Sequence, residues 1–112
     1  MKNTSIGVIT PYRAQRNKIK EMINLTDIEI GTVDSFQGRE KDIIIFSITA
    51  TGNLKFVANP NRLNVAFTRA RRKLIVIGNL NSMYKEKILR DFINYVAEKR
   101  GIYNWKKQRW MS

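Results

Sequence analysis

Short runs of β-branched and apolar residues recur along this chain with segments of helical period between them, and that alternation constrains the fold more than any other feature. Ile6 to Thr10 (I-G-V-I-T), Ile28 to Val33, Asp42 to Thr49 and Leu74 to Gly78 (L-I-V-I-G) are strand-sized and apolar enough to be buried. Asp42 to Thr49 is nearly continuous in apolar residues, the pattern of a strand covered on both sides. Tyr12, Gln15, Ile19, Met22 and Ile23 repeat at helical spacing over Tyr12 to Asn24, with Arg13, Arg16, Lys18 and Lys20 on the remaining faces. Ser82 is the expected cap of a last helix, in which Tyr84, Ile88, Phe92 and Val96, joined by Leu89 and Ile93, make a wide apolar face. Buried strands alternating with helices predict an α/β fold of three layers, a mostly parallel sheet with helices on both faces. In such sheets ligands gather at the carboxyl ends of the strands. The polar segments expected there are Thr10-Pro11-Tyr12, Asp34 to Glu40, and Asn79 to Asn81, with the helix ahead of Leu74 feeding the same rim.

Composition narrows the chemistry. A chain of 112 residues with 43% hydrophobic content supports one globular core. It has neither cysteine nor histidine, so disulfides, Cys-based zinc sites and imidazole catalysis are excluded. Any chemistry rests on carboxylates, arginine, lysine or backbone amides. The longest apolar run, Ile43 to Ile48, is far short of the roughly 18 residues a membrane span needs. Lysine and arginine outnumber aspartate and glutamate 21 to 9, a net charge of +12. Such an excess favours a polyanionic partner, nucleic acid ahead of an anionic membrane.

The stretch Asn59 to Arg72 (N-P-N-R-L-N-V-A-F-T-R-A-R-R) opens as a helix should, with a capping amide followed by proline. Leu63, Ala66, Phe67 and Ala70 then form one apolar stripe. On this helix Arg62 and Arg69 fall two turns apart along the stripe's edge, and Arg71 falls on a different face. Arginine stems fixed at the rim of a packed stripe suit a phosphate clamp, since the fork matches phosphate oxygens and stays charged. Alone, the same letters also describe a solvated basic helix face.

A second stretch, Thr32 to Asp42 (T-V-D-S-F-Q-G-R-E-K-D), carries Gly38, which permits a tight turn and close approach of a phosphate to the backbone. Glu40 can accept from ribose hydroxyls. Thr32 and Ser35 offer neutral hydroxyls of the kind that position nucleic-acid phosphates without reading sequence. Together with T-P-Y-x-x-Q at Thr10 to Gln15 and R-L-N-V-A-F-T-R-A-R at Arg62 to Arg71, in this order and spacing, the chain resembles superfamily 1 helicases, in the branch of the RNA helicase of nonsense-mediated decay. The resemblance runs from Ile6 to about Asn79, more loosely through the last helix.

The resemblance implies the second, carboxyl-terminal RecA-like domain of a motor that binds ATP with magnesium between two such domains, works inside cells and tracks single-stranded RNA or DNA. It assigns Arg69 to the γ-phosphate, as the catalytic arginine finger. It assigns Gly38 and Glu40, with Arg69, to ATP, and Thr10, Tyr12, Thr32 and Ser35 to the nucleic-acid backbone. No phosphate loop (G-x-x-x-x-G-K-[ST]) and no D-E pair after a strand occur. The first RecA-like domain is therefore the expected partner, holding the metal, and this chain alone is expected not to hydrolyse ATP.

Residues 1–100 read as this domain, incomplete at its amino end because the first strand begins so near Met1. Residues 101–112 read as a basic, aromatic tail. There Tyr103, Trp105, Lys106, Lys107, Arg109 and Trp110 fit a single-strand stacking surface, a Trp105 packed back on the last helix, or a terminal stretch with no role in the domain. A stand-alone nucleic-acid-binding module that has lost its ATPase is the alternative function. A metal-dependent nuclease is a poorer third, for want of a convergent acidic cluster.

Overall fold

The β-branched runs form the strands they predict. In the computed structural model, which describes residues 4–23, 27–36, 39–48 and 54–111, β1 (Ile6–Thr10), β2 (Ile28–Thr32), β3 (Lys41–Ser47) and β4 (Ala70–Ile77) pair in parallel, in the order β2-β1-β3-β4. Alternate side chains of a strand face opposite ways, and the register sorts them. Gly7, Ile9, Ile44, Phe46, Leu74 and Val76 share one face, whereas Val8, Thr10, Ile45, Ser47, Ile75 and Ile77 share the other.

Helices cover both faces. The first, α1 (Arg13–Met22), lies over the second set, where its Gln15 bonds to Thr10 and Ser47. Over the first set lies α2 (Pro60–Thr68), which meets the sheet through Phe67, edge-on to Phe46 at 6.3 Å. Two further helices follow β4: α3 (Leu80–Met83) and α4 (Lys87–Glu98). Phe92 of α4 stacks on Phe67 at 5.0 Å, so an aromatic column runs from sheet to outer helix. Ile9, Ile44, Phe46, Leu63, Ala66 and Leu89 are all but inaccessible at the centre of this layer. The architecture is the expected α/β one.

The link from β2 to β3 must cross β1, which lies between them. Parallel strands ordinarily need a dozen or more residues for such a crossing. Residues 33–40 do it with a 3-10 turn at Asp34–Phe36, and the Phe36 ring is buried directly against β1. A Cβ on Gly7 would stand 2.6 Å from Phe36 Cζ. The missing side chain is what admits the ring.

The structure corrects several boundaries. The helix expected to carry Ala70 and Arg71 ends at Thr68. The Thr68 hydroxyl turns back to the Asn64 carbonyl at 2.7 Å, and the Arg69 carbonyl already accepts from the Lys41 amide at 2.9 Å. T-R-A-R-R has adequate helix propensity, but the open edge of β3 captures it as strand. That strand is the sheet's edge, so Ile75 and Ile77 are exposed where Leu74 to Gly78 was expected to be buried. The last helix, expected to start at a Ser82 cap and to include Tyr84, begins only at Lys87, with Glu86 at its N-cap and no side-chain cap bond. Tyr84 ends the short α3, which Asn79 caps. The Asn79 side chain accepts from the Ser82 amide, and Ser82 sits inside α3. Met22, placed by periodicity on the packed face of α1, is the last residue of that helix and is exposed. Asn24, Thr49, Gly38 and the loop at Gly52 and Asn53 lie outside the described residues.

Candidate functional site

Strand direction divides the polar residues between two edges of the sheet. Glu40 precedes β3 and Arg69 precedes β4, and the backbone bond from the Lys41 amide to the Arg69 carbonyl makes them neighbours at the amino edge. Thr10, Tyr12, Thr32 and Ser35 lie at the carboxyl edge of β1 and β2. Lys41 to Ser47 of β3 separates the edges by about 20 Å at a strand's rise per residue. A single carboxyl-edge rim, expected from sequence, is therefore not what forms. Arg69 and Glu40 are at the opposite end because the motif helix runs back along the sheet before β4 begins.

At the amino edge the arginines of T-R-A-R-R part company. Arg71 and Arg72 reach Asp42 at 3.4 and 3.9 Å, and Arg71 also touches the Ser5 hydroxyl. Asp42 in turn accepts from the Ser5 amide at 3.0 Å and from its hydroxyl at 3.2 Å. The Ser5 amide, first, and then the Ser5 hydroxyl, Arg71 and Arg72 hold the Asp42 carboxyl below the ordinary carboxylate value, against a partial desolvation that raises it. This clasp ties β1, β3 and β4 together.

Arg69 stands outside it. Among the described residues it forms no ion pair, its tip makes one long contact to the Thr68 hydroxyl at 3.4 Å, and its Nε is shielded from solvent without a partner. A buried donor left unpaired costs about 1–3 kcal/mol. Arg62 Nε shares that state at the other end of α2, but its guanidinium lies over the Phe56 ring, whereas the tip of Arg69 has no such contact. Glu40 beside it is exposed, while Glu29 nearby is taken by Arg39 and Lys41 at 3.3 and 3.2 Å.

At the carboxyl edge the hydroxyls are organised into two locks. The Thr10 hydroxyl, fully buried, donates to Gln15 Oε1, and Gln15 Nε2 donates to the Ser47 hydroxyl at 2.9 Å and carbonyl at 3.2 Å. Thr32 and Ser35 bond to each other, with the Thr32 amide donating to Ser35 Oγ at 2.9 Å. Gly31 leaves room for that hydroxyl, since a Cβ there would stand 2.8 Å from it. Ser35 is exposed; Thr10 and Thr32 are not. Tyr12 stacks on Phe56 at 5.8 Å, and the Arg62 guanidinium lies over the same ring at 3.9 Å. Arg62, two turns ahead of Arg69 as its spacing indicated, thus sits at the other end of α2. Its start is capped as the sequence indicated, by Asn59 accepting from the Asn61 and Arg62 amides.

Sequence reasoning missed the bridging role of Gln15, grouped there with apolar positions, although its fixed spacing from Thr10 in T-P-Y-x-x-Q was the available signal. Phe56 carried no signal at all. Among the described residues no group of three or more acidic, His or Cys side chains is arranged to hold a metal, and no helix is long and apolar enough to cross a membrane.

Residues 1–81 match the AAA domain family. The chain is 44% identical over 107 residues to the DNA polymerase alpha-associated DNA helicase A of Saccharomyces cerevisiae, an alignment covering 88% of this chain and 16% of that protein. It is 46% identical over 91 residues to an uncharacterised ATP-dependent helicase of Methanocaldococcus jannaschii, covering 80% and 14%. A Drosophila melanogaster homologue of regulator of nonsense transcripts 1 is 36% identical over 112 residues, covering 89% and 10%. The helicase nsp10 of PRRSV, a solved structure, is 25% identical with a TM-score of 0.45, over 69% of this chain and 17% of that one. The chain thus spans 16% or less of the length of these curated relatives.

Proposed function

The chain belongs to the AAA domain family, as a RecA-like domain of superfamily 1 helicases, and from that premise we propose that it is the second motor domain of an ATP-dependent helicase. Its amino edge faces the nucleotide and its carboxyl edge the single strand. The observation that carries this reading is Arg69: its Nε is buried without an acceptor and its tip forms no ion pair among the described residues, while its neighbours Arg71 and Arg72 are spent on Asp42. A triphosphate presented by a facing first RecA-like domain supplies what Arg69 lacks.

Arg69 then neutralises charge on the γ-phosphate as it transfers, the role in which an arginine offered by a second body is worth about 10³–10⁵ in rate. Glu40, exposed on the same edge, accepts from the ribose hydroxyls, and Gly38 lets the phosphates approach the backbone. Magnesium, held mainly by the facing domain, supplies further charge neutralisation.

At the other edge Ser35 and Tyr12 meet the strand's backbone. Thr10 and Thr32 act one step back, since their hydroxyls are buried in the locks with Gln15 and Ser35. Contacts of this kind are indifferent to base sequence, as movement along a strand requires.

The test is Arg69→Ala in the complete enzyme. Hydrolysis is expected to fall by about 10³-fold or more with single-strand affinity nearly unchanged. Normal turnover by this variant returns the chain to the alternative, a nucleic-acid-binding module without a motor.

A further inference from the structure

The family match ends at residue 81, and the segment beyond α4 has a structure of its own. The helix ends on Lys99, Arg100 adopts a left-handed conformation (φ 57°), and the Gly101 amide returns to the Val96 carbonyl at 2.9 Å. Two short antiparallel strands come next, β5 (Tyr103–Asn104) and β6 (Arg109–Trp110). The turn between them is fixed by Asn104 Oδ1, which accepts from the Lys107 amide at 3.0 Å, and by Gln108 in the left-handed region (φ 51°). Outside the ladder the Met111 amide bonds to the Ile102 carbonyl at 2.7 Å, and Ile102 packs against the core. The hairpin is anchored.

Its side chains are arranged against ordinary burial. Tyr103 meets Trp105 edge-on at 6.2 Å and Trp110 edge-on at 5.2 Å, yet Trp105 is 84% and Trp110 64% exposed. Neither indole is hidden against α4, so the reading of Trp105 packed back on that helix falls. Lys106, Lys107 and Arg109 surround the rings, and residues 99–111 contain no acidic side chain. A pocket of about 220 Å³ lined by Asn104, Lys107, Arg109, Trp110 and Met111 opens beside them. Exposed aromatic rings set among cations match bases joined by phosphates better than they match an apolar peptide.

Position supports the same ligand. One groove is lined by Leu80 and Asn81, just past the carboxyl end of β4, and by Ile102 and Met111 of the hairpin base. The hairpin base therefore shares a groove with the residues just past the carboxyl end of β4.

We infer that the hairpin at residues 103–110 is a second single-strand contact, in which Trp105 and Trp110 stack on bases while Lys106, Lys107 and Arg109 take the adjoining phosphates. The inference shares only its ligand class with the proposed function and needs no ATP.

Trp105 and Trp110 are the chain's only tryptophans, so emission excited at the red edge, where its four tyrosines do not absorb, reports on this site. Titrating the full chain with oligo-dT and oligo-U is expected to quench that emission. Trp105→Ala and Trp110→Ala are each expected to weaken binding about 5- to 150-fold, the range for one stacked base. Because Trp105 is so exposed, loss of fold does not confound its variant. Replacing Lys106, Lys107 and Arg109 together by alanine is expected to flatten the slope of log affinity against log salt by about 2, at ~0.7 for each phosphate no longer neutralised. Oligonucleotide binding without quenching, or unchanged affinity in Trp105→Ala, overturns the inference and leaves the motor reading untouched. Quenching by phosphatidylserine vesicles but not by oligonucleotide overturns it in favour of a membrane surface. Hydrolysis by the complete enzyme that survives Arg69→Ala, with quenching of this chain intact, removes the motor reading and leaves the hairpin contact standing.

Discussion

Gly7→Ala tests the crossing on which the amino half of the site depends. The new Cβ would stand 2.6 Å from Phe36 Cζ, 2.9 Å from Cε1 and 3.0 Å from Ile44 Cδ1. Carbon atoms rest at about 3.5–4.0 Å, so the ring must retreat by roughly 1 Å. It has nowhere to go, being fully buried. Overpacking of this kind costs about 1–3 kcal/mol, partly offset by the ~0.4–1 kcal/mol that alanine gains through a less flexible unfolded chain. A net loss of about 1–2 kcal/mol is expected. At roughly 4 °C per kcal/mol for a domain of this size, the melting temperature falls by about 4–8 °C. Calorimetry or urea unfolding of the variant reads the loss directly. The decisive arm is the double variant: with Phe36→Leu, which shortens the obstructing ring, the Gly7→Ala penalty is expected to shrink toward zero, a coupling only contacting residues show. A Gly7→Ala protein as stable as the parent, or a penalty that survives in the Phe36→Leu background, refutes the reasoning.

Gln15→Leu deprives Thr10 and Ser47 of their shared partner and is expected to cost about 1–3 kcal/mol per hydroxyl stranded, read as a lower urea midpoint and weaker single-strand affinity; an unchanged midpoint means water replaces the amide at no cost. Asp42→Asn tests the amino-edge clasp through pH. The native carboxyl titrates below its ordinary 3.8, so its stabilisation is complete above that value and is lost as pH falls through the lowered one. Urea midpoints of the parent and the Asp42→Asn variant are expected to differ at pH 7 and to converge in acid. A constant gap across that range assigns the effect to packing instead.

The strands were legible because β-branched residues fit a covered pleated surface and little else. So was the start of α2, where Asn59 and Pro60 act locally. The failures have one cause. Helix against strand at Ala70 was decided by a partner strand far away in sequence, through the Lys41 amide and Arg69 carbonyl, and no local pattern reports that. The same blindness merged two edges into one: knowing that Arg69 precedes a strand and Thr10 ends one does not reveal the consequence until the strands are laid parallel. Ser82 fails as the cap of the last helix because the chain makes a separate turn of helix at Leu80–Met83 first, and α4 then starts at Lys87 without a side-chain cap. Nothing in I-G-V-I-T marks Gly7; only the ring across it shows why a side chain is missing there.

Helix α2 carries one arginine near each end, Arg62 against Phe56 and Arg69 just past Thr68. Its residues span about 13 Å of stiff rod, pressed along the sheet by Leu63, Ala66 and Phe67. A strut of that kind does not flex in the middle, so a tug on one terminus arrives at the other as a slide or a tilt. Whatever pulls on Arg69 disturbs the aromatic perch of Tyr12 within the same rigid motion, with no relay of intervening side chains required.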